Sequence, residues 1–166
     1  MKTKVELTST EAASLLDVHP STVKRWCNDG ELPFEQTPGG HRRIRVDQAA
    51  DFAREKGIPT VLSPFHPFES HVWTAFRGAE EGSFSELHAL ALQWARRGDF
   101  GRLEDLYVTV GREGAVPFDD FCDFAVRGLM AAVGDEWQGG RLRVGDEHMV
   151  SQAMTGALIR LRHAWR

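Results

Sequence analysis

The chain has 166 residues, 42% of them hydrophobic and 27% charged, the make-up of an ordinary globular protein rather than a fibrous, disordered or membrane-embedded one. No stretch approaches the ~18 consecutive apolar residues of a membrane span, and the start Met-Lys-Thr-Lys-Val-Glu lacks the apolar run of a signal peptide, so a soluble cytoplasmic protein is expected, with no membrane partner. The formal charge of −4 would exclude nucleic acid only if it were evenly spread, and it is not: residues 1–57 carry nine Lys/Arg against nine Asp/Glu, residues 58–166 eleven against fifteen.

Thr8 and Glu11 stand at capping-box spacing, and Ala12, Leu15 and Leu16 follow on one side of a short helix. Asp17 and Val18 form a tight connection. His19 is then placed as an N-cap with Pro20 at the first helical position, where a missing N–H costs nothing. On this second helix Val23 and Trp26 are expected to face inward. Ser21, Lys24, Arg25 and Asn28 are left on the outer side, with Thr22 beside them, before Gly30 ends the helix. Hydroxyls, cations and an amide are the groups that reach phosphates and base edges when the second helix of a helix-turn-helix enters the major groove.

Glu35 to Arg45 reads as two short strands around Pro38-Gly39-Gly40, whose glycines allow positive φ in a tight turn. His41, Arg42, Arg43 and Arg45 crowd the returning strand of this wing, where guanidinium groups grip phosphates or enter a minor groove. Asp47 is expected to cap a third helix, Gln48 to Glu55, held to a core by Ala50, Phe52 and Ala53 and stopped by Gly57-Ile58-Pro59.

Ser21-Thr22-Val23-Lys24-Arg25-Trp26 and Thr37-Pro38-Gly39-Gly40-His41-Arg42-Arg43, within residues 8–55, resemble the winged helix-turn-helix of the MerR family, in the compact form also seen in excisionase-like proteins. The resemblance implies a DNA-binding head. A single head reads few base pairs, so dimers or higher assemblies on repeated half-sites of duplex DNA are expected.

Pro59 to Ser70 reads as a linker, and His71 to Ala79 as a short helix whose Trp73 and Phe76 bury. Four helical patterns follow. Ser83 and Glu86 form a second capping box ahead of Leu87, Leu90, Ala91 and Trp94. Asp99 caps the next helix, through Leu103, Leu106, Tyr107 and Val110. Pro117 opens the third, with Phe118, Phe121, Cys122, Ala125, Leu129, Val133 and Trp137 three or four apart. After Gly139-Gly140, the fourth runs from Val144 or Gly145 through Met149, Ala153, Ala157, Leu158 and Leu161. Short connections make antiparallel neighbours, so the fold class is mainly α: a winged helix-turn-helix (residues 1–58), a linker (59–82) and a four-helix bundle (83–166). Cys27 and Cys122 have no C-x-x-C partner, which argues against a thiolate metal site or a disulfide framework.

Trp137 closes the third bundle helix, nine residues intervene, and Glu147-His148 opens the fourth, so an indole, a carboxylate and an imidazole share one end of the bundle. Trp137 also reads as a core aromatic, Glu147 as an acid favoured by a helix N-terminus, and His148 as a surface histidine. The Trp, nine residues, Glu-His pattern looks like the helical module of cobalamin-dependent photoreceptor repressors of the CarH type, in which a MerR-like head precedes a bundle capping the upper face of adenosylcobalamin. That resemblance implies Trp137 over the adenosyl group, Glu147 on its sugar hydroxyls, and His148 as a cobalt ligand if the cofactor is bound. Members of that family continue into an α/β domain whose Asp-x-His-x-x-Gly motif supplies the lower ligand. Residues 83–166 correspond only to the upper half, so strong cobalamin binding is expected only where another domain or subunit completes the site.

The expected function is a transcription regulator, a repressor by resemblance, whose bundle senses an effector or mediates homo-oligomerisation. The alternatives are a regulator that has lost cobalamin and binds another apolar effector, or an excisionase-type architectural factor. No nucleophile with its base, phosphate loop or metal cluster is legible, so no enzyme is expected.

Overall fold

A computed structural model describes residues 5–165 of the chain. It divides into two compact units, one ending at Trp73 and the other beginning at Thr74.

The first unit runs β1 (Glu6–Leu7), α1 (Ser9–Leu15), α2 (Pro20–Asn28), β2 (Glu35–Gln36), β3 (Arg42–Arg45) and α3 (Val46–Lys56). The capping box forms at the start of α1: Glu11 N donates to Thr8 Oγ1 at 3.2 Å and Thr8 N to Glu11 Oε2 at 2.8 Å. Asp17 turns the chain with a left-handed φ of 51°, a conformation Asp tolerates better than most side chains. Ser21 N donates to His19 Nδ1 at 3.2 Å, so the imidazole caps α2 and Pro20 occupies its first turn.

Val23 and Cys27 form the buried face of α2, one helical turn apart. Trp26, expected inward, is only half-buried, and its ring lies 4.9 Å from that of Phe52. β3 is the central strand, pairing antiparallel with β1 (Leu7↔Ile44) and β2 (Gln36↔Arg42). β1 was not anticipated, because two residues are too few to show an alternating pattern. In the wing turn Gly40 alone takes positive φ, at 80°, while its N–H reaches Thr37 O at 2.8 Å. Asp47 is not the N-cap of α3. It lies in the first turn, takes Gln48 N at 3.0 Å and holds the Arg45 guanidinium with both oxygens, while Arg45 occupies the cap position.

The stretch read as a linker carries core residues. Leu62 and Phe65 are buried around a 3₁₀ turn at Ser63–Phe65, and α4 (Glu69–Glu80) begins two residues earlier than expected. Glu69, only 5% exposed, takes a hydrogen bond from Arg54 Nη2 and lies against His66 Nδ1, each at 2.9 Å.

The second unit contains α5 (Ser85–Ala95), α6 (Phe100–Glu113), α7 (Phe118–Asp120), which continues through a π-helical turn (Phe121–Val126) into α8 (Arg127–Gln138), and α9 (Val144–Leu161). Helix α5 packs on α6 and α8, and α9 packs on the same two, closing a four-helix bundle. The chain is thus mainly helical, with a helix-turn-helix and a small three-stranded sheet preceding a helical domain. Gly111 permits the close approach of α6 and α9: a Cβ there would stand 2.6 Å from Leu161 Cδ1. Asp99 caps α6. The Ser83–Glu86 capping box does not form; the buried ring of Phe84 occupies the cap position and α5 starts at Ser85.

The π-helical turn was not legible from the apolar spacing, and one of its residues, Ala125, is met by side chains from two other helices. A π-bulge disturbs the i→i−4 ladder and alters which carbonyls are met by helical N–H groups. The carbonyl of Ala125 takes His88 Nε2 at 3.0 Å and Tyr107 OH at 3.4 Å, and burial pushes the Tyr107 phenol well above its ordinary pKa. On α9 the buried stripe is Val150, Ala153, Met154, Ala157 and Leu161, so Met149 and Leu158, expected inward, are exposed.

Candidate nucleic-acid interface and helical rim

Capping and turn chemistry bring the first site together. Thr8, Ser9 and Thr10 from the start of α1, Lys24 from α2, and Gly40, His41, Arg42 and Arg43 from the wing line one open cleft of about 300 Å³. Ser21, Lys24, Arg25 and Asn28 are all exposed on α2, and Thr22 is half-buried. The Ser21 hydroxyl lies 2.8 Å from His19 Nδ1, tying it to the cap.

Cations in this unit fall into two groups. Arg45 is paired with Asp47, Arg54 with Asp51 and Glu69, and Lys56 with Glu31. Lys24, Arg25 and Arg43 form no ion pair among the described residues. Uncompensated positive charge is therefore gathered on α2 and the wing, where it can attract and neutralise phosphates. Arg42 donates from Nη2 to Asn28 Oδ1 at 2.7 Å and lies over the Phe34 ring. Arg45 lies outside the cleft: its hydrogen bonds to Asp47 raise its own pKa and hold the Asp47 carboxyl below its usual range. Thr8, Ser9 and Thr10 carry no mark of a site in the sequence beyond the Thr8–Glu11 capping box that sets the start of α1.

The second constellation is the rim where α8 meets α9. Trp137 is 47% exposed in the last turn of α8, which excludes the core-aromatic reading. Glu147 is half-buried and its carboxylate bonds no side chain among the described residues. His148 is exposed, with Nε2 2.9 Å from Gln152 Nε2. Val144 and Met149 stand exposed in the same first turns of α9.

Next to Trp137, Glu136 turns the other way and is 8% exposed. It takes Arg96 Nε at 2.9 Å, Arg96 Nη2 at 2.6 Å and Arg141 Nε at 2.8 Å, which ties α5, α8 and the following turn together. Hydrogen bonds from Arg96 and Arg141 hold the Glu136 carboxyl below its ordinary range. Pairing across forty residues leaves no local pattern, and this cluster was not foreseen. Among the described residues no three His, Cys, Asp or Glu side chains gather as a metal site, and no helix is long and apolar enough to cross a membrane.

Comparison with known proteins agrees with this division. The family described as "Helix-turn-helix domain" matches residues 6–57, and the family described as "B12 binding domain" matches residues 91–162. A protein of Mycobacterium tuberculosis (strain ATCC 25618 / H37Rv) named "Putative antitoxin VapB50" is 41% identical over 51 residues, which cover 31% of this chain and 38% of the relative. The chain therefore carries a DNA-binding helix-turn-helix domain followed by a helical domain of the B12-binding kind, as in MerR- and CarH-like regulators.

Proposed function

We propose that the chain is a sequence-specific transcription regulator, a repressor acting in the cytoplasm, whose helical unit senses an effector or assembles copies into dimers or tetramers. The observation that carries this reading is a set of cations without carboxylate partners among the described residues, Lys24, Arg25 and Arg43, beside a cleft shared by α1, α2 and the wing. In this reading α2 enters the major groove, presenting Ser21, Thr22, Lys24, Arg25 and Asn28. His41 and Arg43 bring the wing onto the adjacent backbone or minor groove. No catalytic step is assigned to the chain.

The rim has the chemistry to meet one face of adenosylcobalamin: an exposed indole to stack, a carboxylate that bonds no side chain among the described residues and suits sugar hydroxyls, and an exposed imidazole. When bound, that group would supply a light-sensitive cobalt–carbon bond. Trp137 and Glu147 would hold its adenosyl part, and His148 would offer an imidazole nitrogen to cobalt on giving up Gln152. The other face of the corrin needs groups from a further domain or subunit. Exposed Trp137, Val144 and Met149 equally suit a different apolar effector, which is the second reading.

Two measurements test these readings separately. Selection from a random duplex pool, followed by gel-shift at moderate salt, should yield a sequence bound more tightly than random DNA; equal binding to all duplexes contradicts the regulator. Incubation with adenosylcobalamin should give a protein-bound corrin spectrum and a light-dependent change in assembly. Neither appearing would leave the rim to another effector.

A further inference from the structure

The strand register gives Arg42 a different task from its neighbour. Side chains alternate across a strand, and Ile44 of β3 is fully buried, so Arg42 shares the core-side face while Arg43 lies on the other. An arginine at the open end of a core face covers apolar surface with its stem and sends its planar head to a nearby acceptor. Arg42 does this: its guanidinium carbon lies 5.3 Å from the centre of the Phe34 ring, and Nη2 donates to Asn28 Oδ1 at 2.7 Å. Its Nε is buried and has no hydrogen-bond partner among the described residues. Asn28 is the last residue of α2, so the contact joins the wing strand to the end of the helix that carries Lys24 and Arg25.

We infer that Arg42 is a positioning residue rather than a phosphate ligand: by gripping Asn28 across Phe34 it fixes the wing relative to α2. This deepens the DNA-binding reading and rests on it. The pair also narrows what Asn28 offers. Bidentate reading of adenine needs both the amide oxygen and the amide nitrogen. Arg42 occupies one of the two lone pairs of Oδ1 and sets the orientation of the amide, so the wing decides how Asn28 meets a base. Arg43, which has no carboxylate partner among the described residues, is left as the wing cation that neutralises a phosphate.

A phosphate ligand and a clamp differ in salt dependence, because each neutralised phosphate contributes about 0.9 to the slope of log K against log salt. The test uses the full chain and a fluorescent duplex selected by the wild type from a random pool, titrated over a range of salt. Arg43→Ala should lower the slope by about 0.9. Arg42→Ala should weaken binding roughly three- to tenfold with the wild-type slope retained. Arg42→Lys keeps the charge but loses the fork and the stacking face, so it should behave like Arg42→Ala; for a phosphate ligand it would behave nearly as wild type. Asn28→Ala should weaken binding at least as much, because it also removes an amide from the groove-facing side of α2, and Arg42→Ala made on top of it should cost nothing further.

Thermal unfolding of each variant keeps misfolding distinct from a lost clamp, and Asn28→Ala reads the same contact from its exposed partner. A slope drop of about 0.9 in Arg42→Ala, or additive losses in the double variant, overturns the clamp. A wild-type chain that binds no duplex in preference to random DNA overturns the regulator reading itself.

Discussion

The winged head and the helical bundle place their functional side chains by different means. In the head the elements that carry the site start from short-range devices: Thr8 and Glu11 cap α1, His19 and Pro20 start α2, and the turn at Gly40 folds β2 onto β3. In the bundle the rim depends on helix phase carried over many residues and on a carboxylate bonded to an arginine forty positions away. Short-range chemistry survives small errors in reading a sequence, whereas accumulated phase does not.

The largest expected break in this contrast is in the bundle core. Phe121 is fully buried in the π-helical turn and contacts Tyr107 and Trp165, so Phe121→Ala should cost about 3–5 kcal/mol in urea unfolding. Gly40→Ala tests the wing: an L side chain at a φ of 80° should cost about 1–2 kcal/mol and loosen the β2–β3 hairpin, seen as faster amide exchange at Thr37 and Gly40.

Glu136 sharpens the comparison through pH. Its carboxyl is held below its unfolded value, so its stabilising contribution is complete above about 4.3, the ordinary glutamate pKa. That contribution is lost as pH falls through the depressed folded value. Glu136→Gln should therefore flatten the acid limb of a stability–pH profile over that window, and an unchanged limb would show that the Arg96 and Arg141 contacts contribute nothing. The smallest effect on stability is expected at Trp137. Being 47% exposed, Trp137→Ala should alter unfolding by under about 0.5 kcal/mol while abolishing effector uptake at the rim; a large loss of stability would return Trp137 to the core.

How much could be read beforehand follows the same division. The four bundle helices and the three head helices were legible from apolar spacing and from the caps at Thr8, His19 and Asp99, as was the β2–β3 hairpin, whereas the caps read at Asp47 and Ser83 do not form. Trp137 shows why phase was harder. Ala125, Leu129, Val133 and Trp137 are each four apart, and at 3.6 residues per turn every such step drifts by about 40°. After three steps Trp137 stands roughly 120° from Ala125, which turns it to solvent and brings Glu136 inward. The rim is thus exposed because its own spacing carries it off the core. In the head, the pairing of Arg45 with Asp47 was not separable from sequence, since an arginine in a basic run looks alike whether or not a carboxylate meets it. The register that sets Arg42 apart from Arg43 needed the pairing of β3 with both neighbours.

The most direct test of the account is a map of backbone amide shifts on adding a selected DNA duplex to the isotope-labelled chain. The account predicts changes concentrated at Thr8 to Thr10, Ser21 to Asn28 and Gly40 to Arg43, with α6 and α8 quiet. Changes confined to the helical bundle, with α2 and the wing silent, would contradict it.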